Sequence, residues 1–199
     1  FIMKNLSKAL KASLLFAAVA CLASCGNRIE GWTVNGSLKL DNGEMSWGEK
    51  STMTSENDYE NFCLKGKFQT EPGAVASILF HHSESNSGYE VLLHNGPQDG
   101  TCKTGSLAHV RNLYRSLAED GEWFDLEINV RQKNIAVAVN GTDVVCYTQP
   151  EQPYRTEANA GQLLGLGKVV INMEKGNVKI KDLTLTALPN DARNENDTL

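Results

Sequence analysis

Residues 124–148, F-D-L-E-I-N-V-R-Q-K-N-I-A-V-A-V-N-G-T-D-V-V-C-Y-T, decide the fold. Phe124, Leu126, Ile128 and Val130 alternate with Asp125, Glu127 and Asn129. A period of two describes a strand with one buried and one wet face. Ile135, Val137 and Val139 repeat the pattern against Ala136 and Ala138. Asn140-Gly141 joins the two runs, and Asn-Gly fits a two-residue type I′ hairpin because both central residues take positive φ. Such a turn predicts the register, with Val139 opposite Thr142, Val137 opposite Val144 and Ile135 opposite Cys146. Cross-strand partners share a face. Cys146 is therefore predicted as a small, inert core thiol.

The pattern holds on either side. Ser37–Leu40 and Glu44–Trp47 flank Asp41-Asn42-Gly43, a hairpin turn. Phe62, Leu64 and Phe68 alternate with Lys65 and Lys67. Residues 75–82, V-A-S-I-L-F-H-H, are a continuous apolar run, as in a central strand covered on both sides. Val178 and Ile180 keep one parity and Leu183 and Leu185 the other, which a bulge near Lys181-Asp182 reconciles. Only residues 111–119 suggest a helix, of one or two turns. Ten to twelve short strands separated by turns predict an all-β β-sandwich or jelly roll.

The chain has 199 residues, of which 41% are hydrophobic, enough for one domain with its own core. Lys4, Lys8 and Lys11 precede the short apolar run 14–20, the layout of a secretory signal. The run ends in Leu22-Ala23-Ser24-Cys25-Gly26, which resembles a bacterial lipobox whose Cys25 thiol takes the lipid. The expected layout is a signal peptide over 1–24, a lipidated N-terminus and tether over 25–35, a β-jelly-roll domain over 36–187 and a disordered tail over 188–199. The protein is expected in the cell envelope, lipid-anchored in the outer membrane. Cleavage removes three of the 19 basic residues and none of the 24 acidic ones, leaving a formal net charge of −8. That balance, with no basic stripe, argues against nucleic acid and leaves the lipid as the only membrane link. Cys63, Cys102 and Cys146 remain, an odd number in no zinc-binding spacing.

Residues 88–115, G-Y-E-V-L-L-H-N-G-P-Q-D-G-T-C-K-T-G-S-L-A-H-V-R-N-L-Y-R, hold the densest set of chemically able side chains. In its first strand Glu90, Leu92 and His94 share one face, and Tyr89, Val91, Leu93 and Asn95 the other. If this strand pairs with 75–82, Glu90 comes within a few ångströms of His81 or His82. A carboxylate beside an imidazole suits acid–base catalysis. The same pair suits a divalent metal, and a solvated strand end would carry the same groups without function. Cys102 with nearby His94 or His109 would suggest a thiol nucleophile, but the loop setting gives no orienting helix N-terminus and no evident third member. Trp32, Trp47, Trp123, Tyr89 and Tyr114 could stack on sugar rings, although core packing is the commoner fate of an aromatic. The one-strand E-x-D-x-E motif of laminarinase-type sandwiches is absent, so a two-carboxylate hydrolase is not indicated.

The runs G-Y-E-V-L-L-H-N, K-T-G-S-L-A-H-V-R-N-L-Y-R-S, D-G-E-W-F-D-L-E-I-N-V, V-N-G-T-D-V-V-C-Y and E-Q-P-Y-R occur in order. Over about residues 31–187 they resemble the 3-keto-disaccharide hydrolase domain family, common among secreted or lipid-anchored proteins of Bacteroidetes. The resemblance implies a concanavalin-like jelly roll with a concave face, and a carbohydrate ligand oxidised to a ketone at C3. It implies Glu90 and His81 as the catalytic groups, with Asn95, Lys103, Ser106, Arg111, Asn112 and Tyr114 lining the substrate site beside Thr104 and Gly105. It fixes no cofactor, and a divalent metal stays open. The chain departs from the family pattern at four places, one of them Asp182 where Asn is usual. Leu92 stands where Gln is frequent, Asn172 replaces a Gln, and Glu174 stands near the usual His/Asp pair. Two functions follow: a lyase or hydrolase of 3-keto-glycosides, or a carbohydrate-binding envelope lipoprotein that has lost catalysis.

Overall fold

A computed structural model describes residues 29–84, 86–96 and 102–190. The predicted signal peptide, Cys25 and most of the predicted tail lie outside these residues. Among the described residues twelve strands form two antiparallel sheets packed face to face, the predicted sandwich. The five-stranded sheet contains β1 (Trp32–Asn35), β4 (Ser51–Ser55), β11 (Lys168–Lys175), β6 (Val75–His82) and β7 (Tyr89–Leu93), in that order across the sheet. The seven-stranded sheet runs β10 (Thr142–Thr148), β9 (Asn134–Val139), β8 (Phe124–Arg131), β5 (Phe62–Thr70), β12 (Val178–Ala187), β3 (Glu44–Trp47) and β2 (Leu38–Asp41).

Alternation builds the core. Ile78, Phe80, Tyr89, Val91, Leu93 and Met53 point inward from the first sheet, and Phe62, Leu64, Phe68, Leu126, Ile128 and Val137 from the second. Each such side chain contributes roughly 1.5–3 kcal/mol when fully buried. Phe62 meets Phe80 edge-on at 5.5 Å between the sheets. The continuous apolar run 75–82 becomes β6, with β11 on one side and β7 on the other.

Two turns behave as their residues demand. Asp41 pairs with Glu44 across Asn42-Gly43, and Val139 with Thr142 across Asn140-Gly141. Asn42, Gly43, Asn140 and Gly141 all take positive φ. The predicted bulge in β12 falls between Lys181 and Thr184, with Asp182 at φ 53°. Three expectations are corrected. A second bulge, between Asp143 and Val145, moves Val145 opposite Val137. Cys146 then faces Ala136 and is exposed, so it is not a core thiol. Residues 111–119 form a bridge at Arg111 followed by bends and irregular backbone, and no helix.

The strand ends define two poles. At one lie Trp32, Ser55, Phe62, His82, Tyr89, Arg131, Thr148, Lys168 and Ala187. Both ends of the described chain, Ile29 and Asn190, lie at this pole. Leu188 is bonded to the Asn61 carbonyl, and the Asn190 side chain to Asn61 and Glu60. The opposite pole carries the 140–141 turn and residues 118–121, with Asn140 bonded to the Leu117 carbonyl.

Candidate functional site

The outer face of the five-stranded sheet is set by register. Glu90 lies opposite Leu79, which lies opposite Val170, which lies opposite Thr54. One row further on, Leu92, Ser77, Asn172 and Thr52 stand side by side. Glu90, Asn172, Thr52 and Thr54 are half-buried, and Ser77 is only 4% exposed. None of these polar side chains makes a hydrogen bond or ion pair among the described residues. Groups so placed, shielded yet unpaired, are free to serve a ligand. With strands about 4.8 Å apart, Glu90 and Asn172 stand about 12 Å apart across two strands and one row, on the scale of a disaccharide.

The outer face of the seven-stranded sheet is the opposite case. Lys65 pairs with Glu127 at 3.1 Å and Lys67 with Asp125 at 2.6 Å. The Cys63 thiol donates to Glu127 at 3.7 Å, and burial, reinforced by that carboxylate, pushes the thiol's pKa up. Arg131 bonds Asn129. Clefts of about 350 and 300 Å³ lie along β8, β9 and β10, floored in part by Ala136 and Ala138. Their polar walls are largely satisfied internally.

His81 and Glu90 do not meet. His81 takes φ 58°, which breaks the alternation of β6 and turns the ring inward, edge-on to Phe62 and Phe80. Nε2 donates to the Glu60 carbonyl at 3.0 Å and Nδ1 accepts from the Gly165 amide at 3.1 Å, a pairing that sets the neutral tautomer. Burial lowers its pKa to about 4. The ring lines a cleft of about 360 Å³ at the pole of the termini, with Glu60, Asn61, Gln149 and Asn190. Glu90 projects from the other side of the sheet, since Tyr89 and Val91 fill the core. His82 is exposed and bonds the Ser87 carbonyl.

Beside Tyr89 is a cluster that sequence reasoning missed. Its hydroxyl donates to Gln149 at 2.7 Å and accepts from Arg155 at 2.7 Å, and Arg155 also reaches the Tyr147 hydroxyl at 3.1 Å. Burial raises the Tyr89 pKa. The E-Q-P-Y-R run held the signal, since an Arg there was already part of the quoted pattern.

The segment after β7 is stitched to its edge. Leu92 donates to the Ser106 carbonyl, Gly105 to Leu92 and Ala108 to Glu90, each at 2.9 Å. Gly105 sits at φ 92°, and a Cβ there would lie 3.0 Å from Val139 and 3.1 Å from Val144. Glycine thus lets this segment close the side between the two sheets. Ser106 is buried and accepts the Leu113 amide at 2.9 Å. Asn95 donates to the Ala118 carbonyl and to Asp120 at 3.0 Å. Lys103 caps the carbonyls of Asn95 and Gly96. Asn95, Lys103 and Ser106 are therefore engaged by the protein itself. Arg111 and Asn112 are exposed, as is Tyr114 at 70%. Of the five aromatics considered for stacking, Trp32, Trp47 and Tyr89 are in the core and Trp123 lies under Lys181 at 4.0 Å. Among the described residues, no three His, Cys, Asp or Glu side chains come together as a metal site.

Fold and face together define a jelly-roll β-sandwich with one outer face of half-buried, unengaged polar groups. Residues 24–186 match the family model of the 3-keto-alpha-glucoside-1,2-lyase-like domain, and the chain belongs to that family. Among solved structures, a candidate glycosyl hydrolase from Parabacteroides distasonis superposes with a TM-score of 0.70 at 15% identity, covering 80% of this chain and 89% of that one. A β-glucanase from Bacillus licheniformis gives 0.57 at 12% identity, covering 82% and 95%. The carbohydrate binding module CBM66 from Bacillus subtilis gives 0.56 at 11%, covering 79% and 96%. These likenesses establish the sandwich. No curated protein matches the chain.

Proposed function

We propose that this domain cleaves 3-keto-glycosides by elimination, with Glu90 as the proton-transfer group. The observation that carries the reading is the half-buried, unpaired carboxylate of Glu90, on a face whose other polar groups are equally unengaged. A ketone at C3 acidifies the proton on C2. Glu90 takes that proton, the electron pair forms the C1–C2 double bond, and the C1–O bond breaks. A carboxyl group lying over both C1 and C2 can return the same proton to the departing oxygen, so one group serves as base and then acid. Ser77 and Asn172 offer O–H and N–H donors to the ketone oxygen as it gains charge. His81 supplies no second catalytic group on this face. It holds the Gly165 loop and the Glu60 backbone together.

In this reading the chain is an envelope protein anchored by lipid on Cys25. The experiment follows enone absorbance and sugar release from a 3-keto-disaccharide. Glu90→Gln is expected to lower kcat by roughly 10²-fold or more while melting at the parent temperature. An unchanged rate removes Glu90 from the chemistry. A second reading, a glycan-binding protein without turnover, is favoured by Leu92 and Glu174 standing where the family carries Gln and His/Asp. Binding without product in the parent protein would establish it.

A further inference from the structure

We propose that the pole carrying both ends of the described chain faces the membrane, with Tyr154, Leu163 and Leu166 seated in the lipid headgroup layer. The inference rests on the reading of Cys25 as the anchor. Cys25 precedes Ile29 by four residues, and an extended chain covers at most about 3.6 Å per residue. The first described residue therefore lies within about 14 Å of an anchored sulfur.

The apolar loop is attached to the same place. The Gly31 carbonyl accepts the Glu56 amide at 2.8 Å, and the Glu56 carbonyl accepts Lys168 Nζ at 2.8 Å. Gly167 then pairs with Tyr59. Leu166, next to that bridge, is 65% exposed. Leu163, held through its carbonyl by Asn86 at 2.9 Å, is 37% exposed, and Tyr154, beside the fixed Arg155, is 89% exposed. The loop backbone is pinned by Arg155 to Gln162 at 3.0 Å and by Gly165 to His81, so these side chains are presented on a fixed frame.

Two leucines and a tyrosine are too little apolar surface to hold a protein on a bilayer unaided. A short tether changes this, because it keeps the patch at high effective concentration beside the lipid, where weak burial suffices to set orientation. Tyrosine at such a boundary puts its ring in the acyl margin and its hydroxyl in the headgroups. At this pole Lys168 and Lys133 are paired with Asp58 and Glu151, and Glu56 and Glu60 add negative charge, so no basic patch draws it to anionic lipid. The seating is apolar. Strands then stand away from the bilayer, and the Glu90 face remains open to soluble ligand.

The test uses the full lipidated chain in vesicles of phosphatidylcholine brominated along its acyl chains. Leu166→Trp and Tyr154→Trp are each measured against the parent, with Leu117→Trp at the opposite pole as control. The added tryptophan at 166 and 154 is expected to lose half or more of its emission to bromine, and that at 117 none. Equal, negligible quenching at all three positions in a protein with the diacylglyceryl mass on Cys25 overturns the seating and leaves the anchor intact. Absence of that mass overturns the anchor and the seating together.

Discussion

Arg155 engages Tyr89 in two ways. Its guanidinium donates to the phenol oxygen at 2.7 Å and lies 5.6 Å from the centroid of the same ring. That oxygen in turn donates to Gln149, which also accepts the Leu164 amide at 2.9 Å. The 149–155 segment thus grips the β7 hydroxyl from two sides and, through Gln149, ties it to the backbone at Leu164. Tyr89→Phe keeps the ring and removes the oxygen, leaving Arg155 and Gln149 each one partner short. The expected loss is about 1–2 kcal/mol. Calorimetry should show it as a fall in Tm of about 2–8 °C, with kcat on a 3-keto-disaccharide preserved because the Glu90 face is untouched.

His81 makes stability depend on acid. Its pKa is about 4 in the fold against 6.5 as the ordinary value, so the folded state favours the neutral ring. The contribution is complete above pH 6.5 and is lost as pH falls from 6.5 towards 4, to a total of order 3 kcal/mol. Urea midpoints at pH 7.5 and 4.5 should fall further for the parent than for His81→Gln. The imidazole carbon shifts should stay those of a neutral ring at pH 5.5. A ring protonated at pH 5.5 would show that burial does not hold it neutral.

Asn172 and Lys67 separate the two outer faces. Asn172→Ala removes a donor from the unpaired face and should weaken a bound 3-keto-disaccharide by about 1 kcal/mol, or roughly fivefold, in titration calorimetry. Lys67→Ala breaks an exposed ion pair with Asp125 on the other sheet and should leave that affinity unchanged. The reverse pattern would move the site to the seven-stranded sheet.

Ser106→Ala strips the Leu113 amide of its acceptor inside a buried turn. Local protection should fall by about 1.4 kcal/mol, so exchange of the Leu113 amide should quicken about tenfold. The β7 amides, bonded through backbone, should keep their rates.

The strand content and sandwich class were readable because alternation over 124–139 and the Asn140-Gly141 turn are local signals. The bulge in β12 was readable from a change of parity. The bulge at Asp143 was not, because Val144, Val145 and Cys146 offer three near-equivalent apolar choices and only packing against Gly105 and Val137 decides among them. The face carrying Glu90 followed from period two. The orientation of His81 did not, since a single positive φ reverses it and nothing in I-L-F-H-H announces one. Asn95, Lys103 and Ser106 looked like ligand groups because their polar atoms are visible in sequence, whereas the carbonyls and amides that occupy them become visible only when the loop closes.

The segment at 105–108 also has a consequence for how this protein can evolve. Without it, β7 would end the sheet with open amides and carbonyls, the template on which sheets of separate molecules join into aggregates. The bonds from Gly105 and Ala108 and to Ser106 seal that edge. Insertions or deletions there would expose it, so the length of this wall is locked by solubility. Adaptation to a different ligand is therefore channelled into side chains at its exposed turns, His109, Arg111, Asn112 and Tyr114, which can be exchanged with the seal intact.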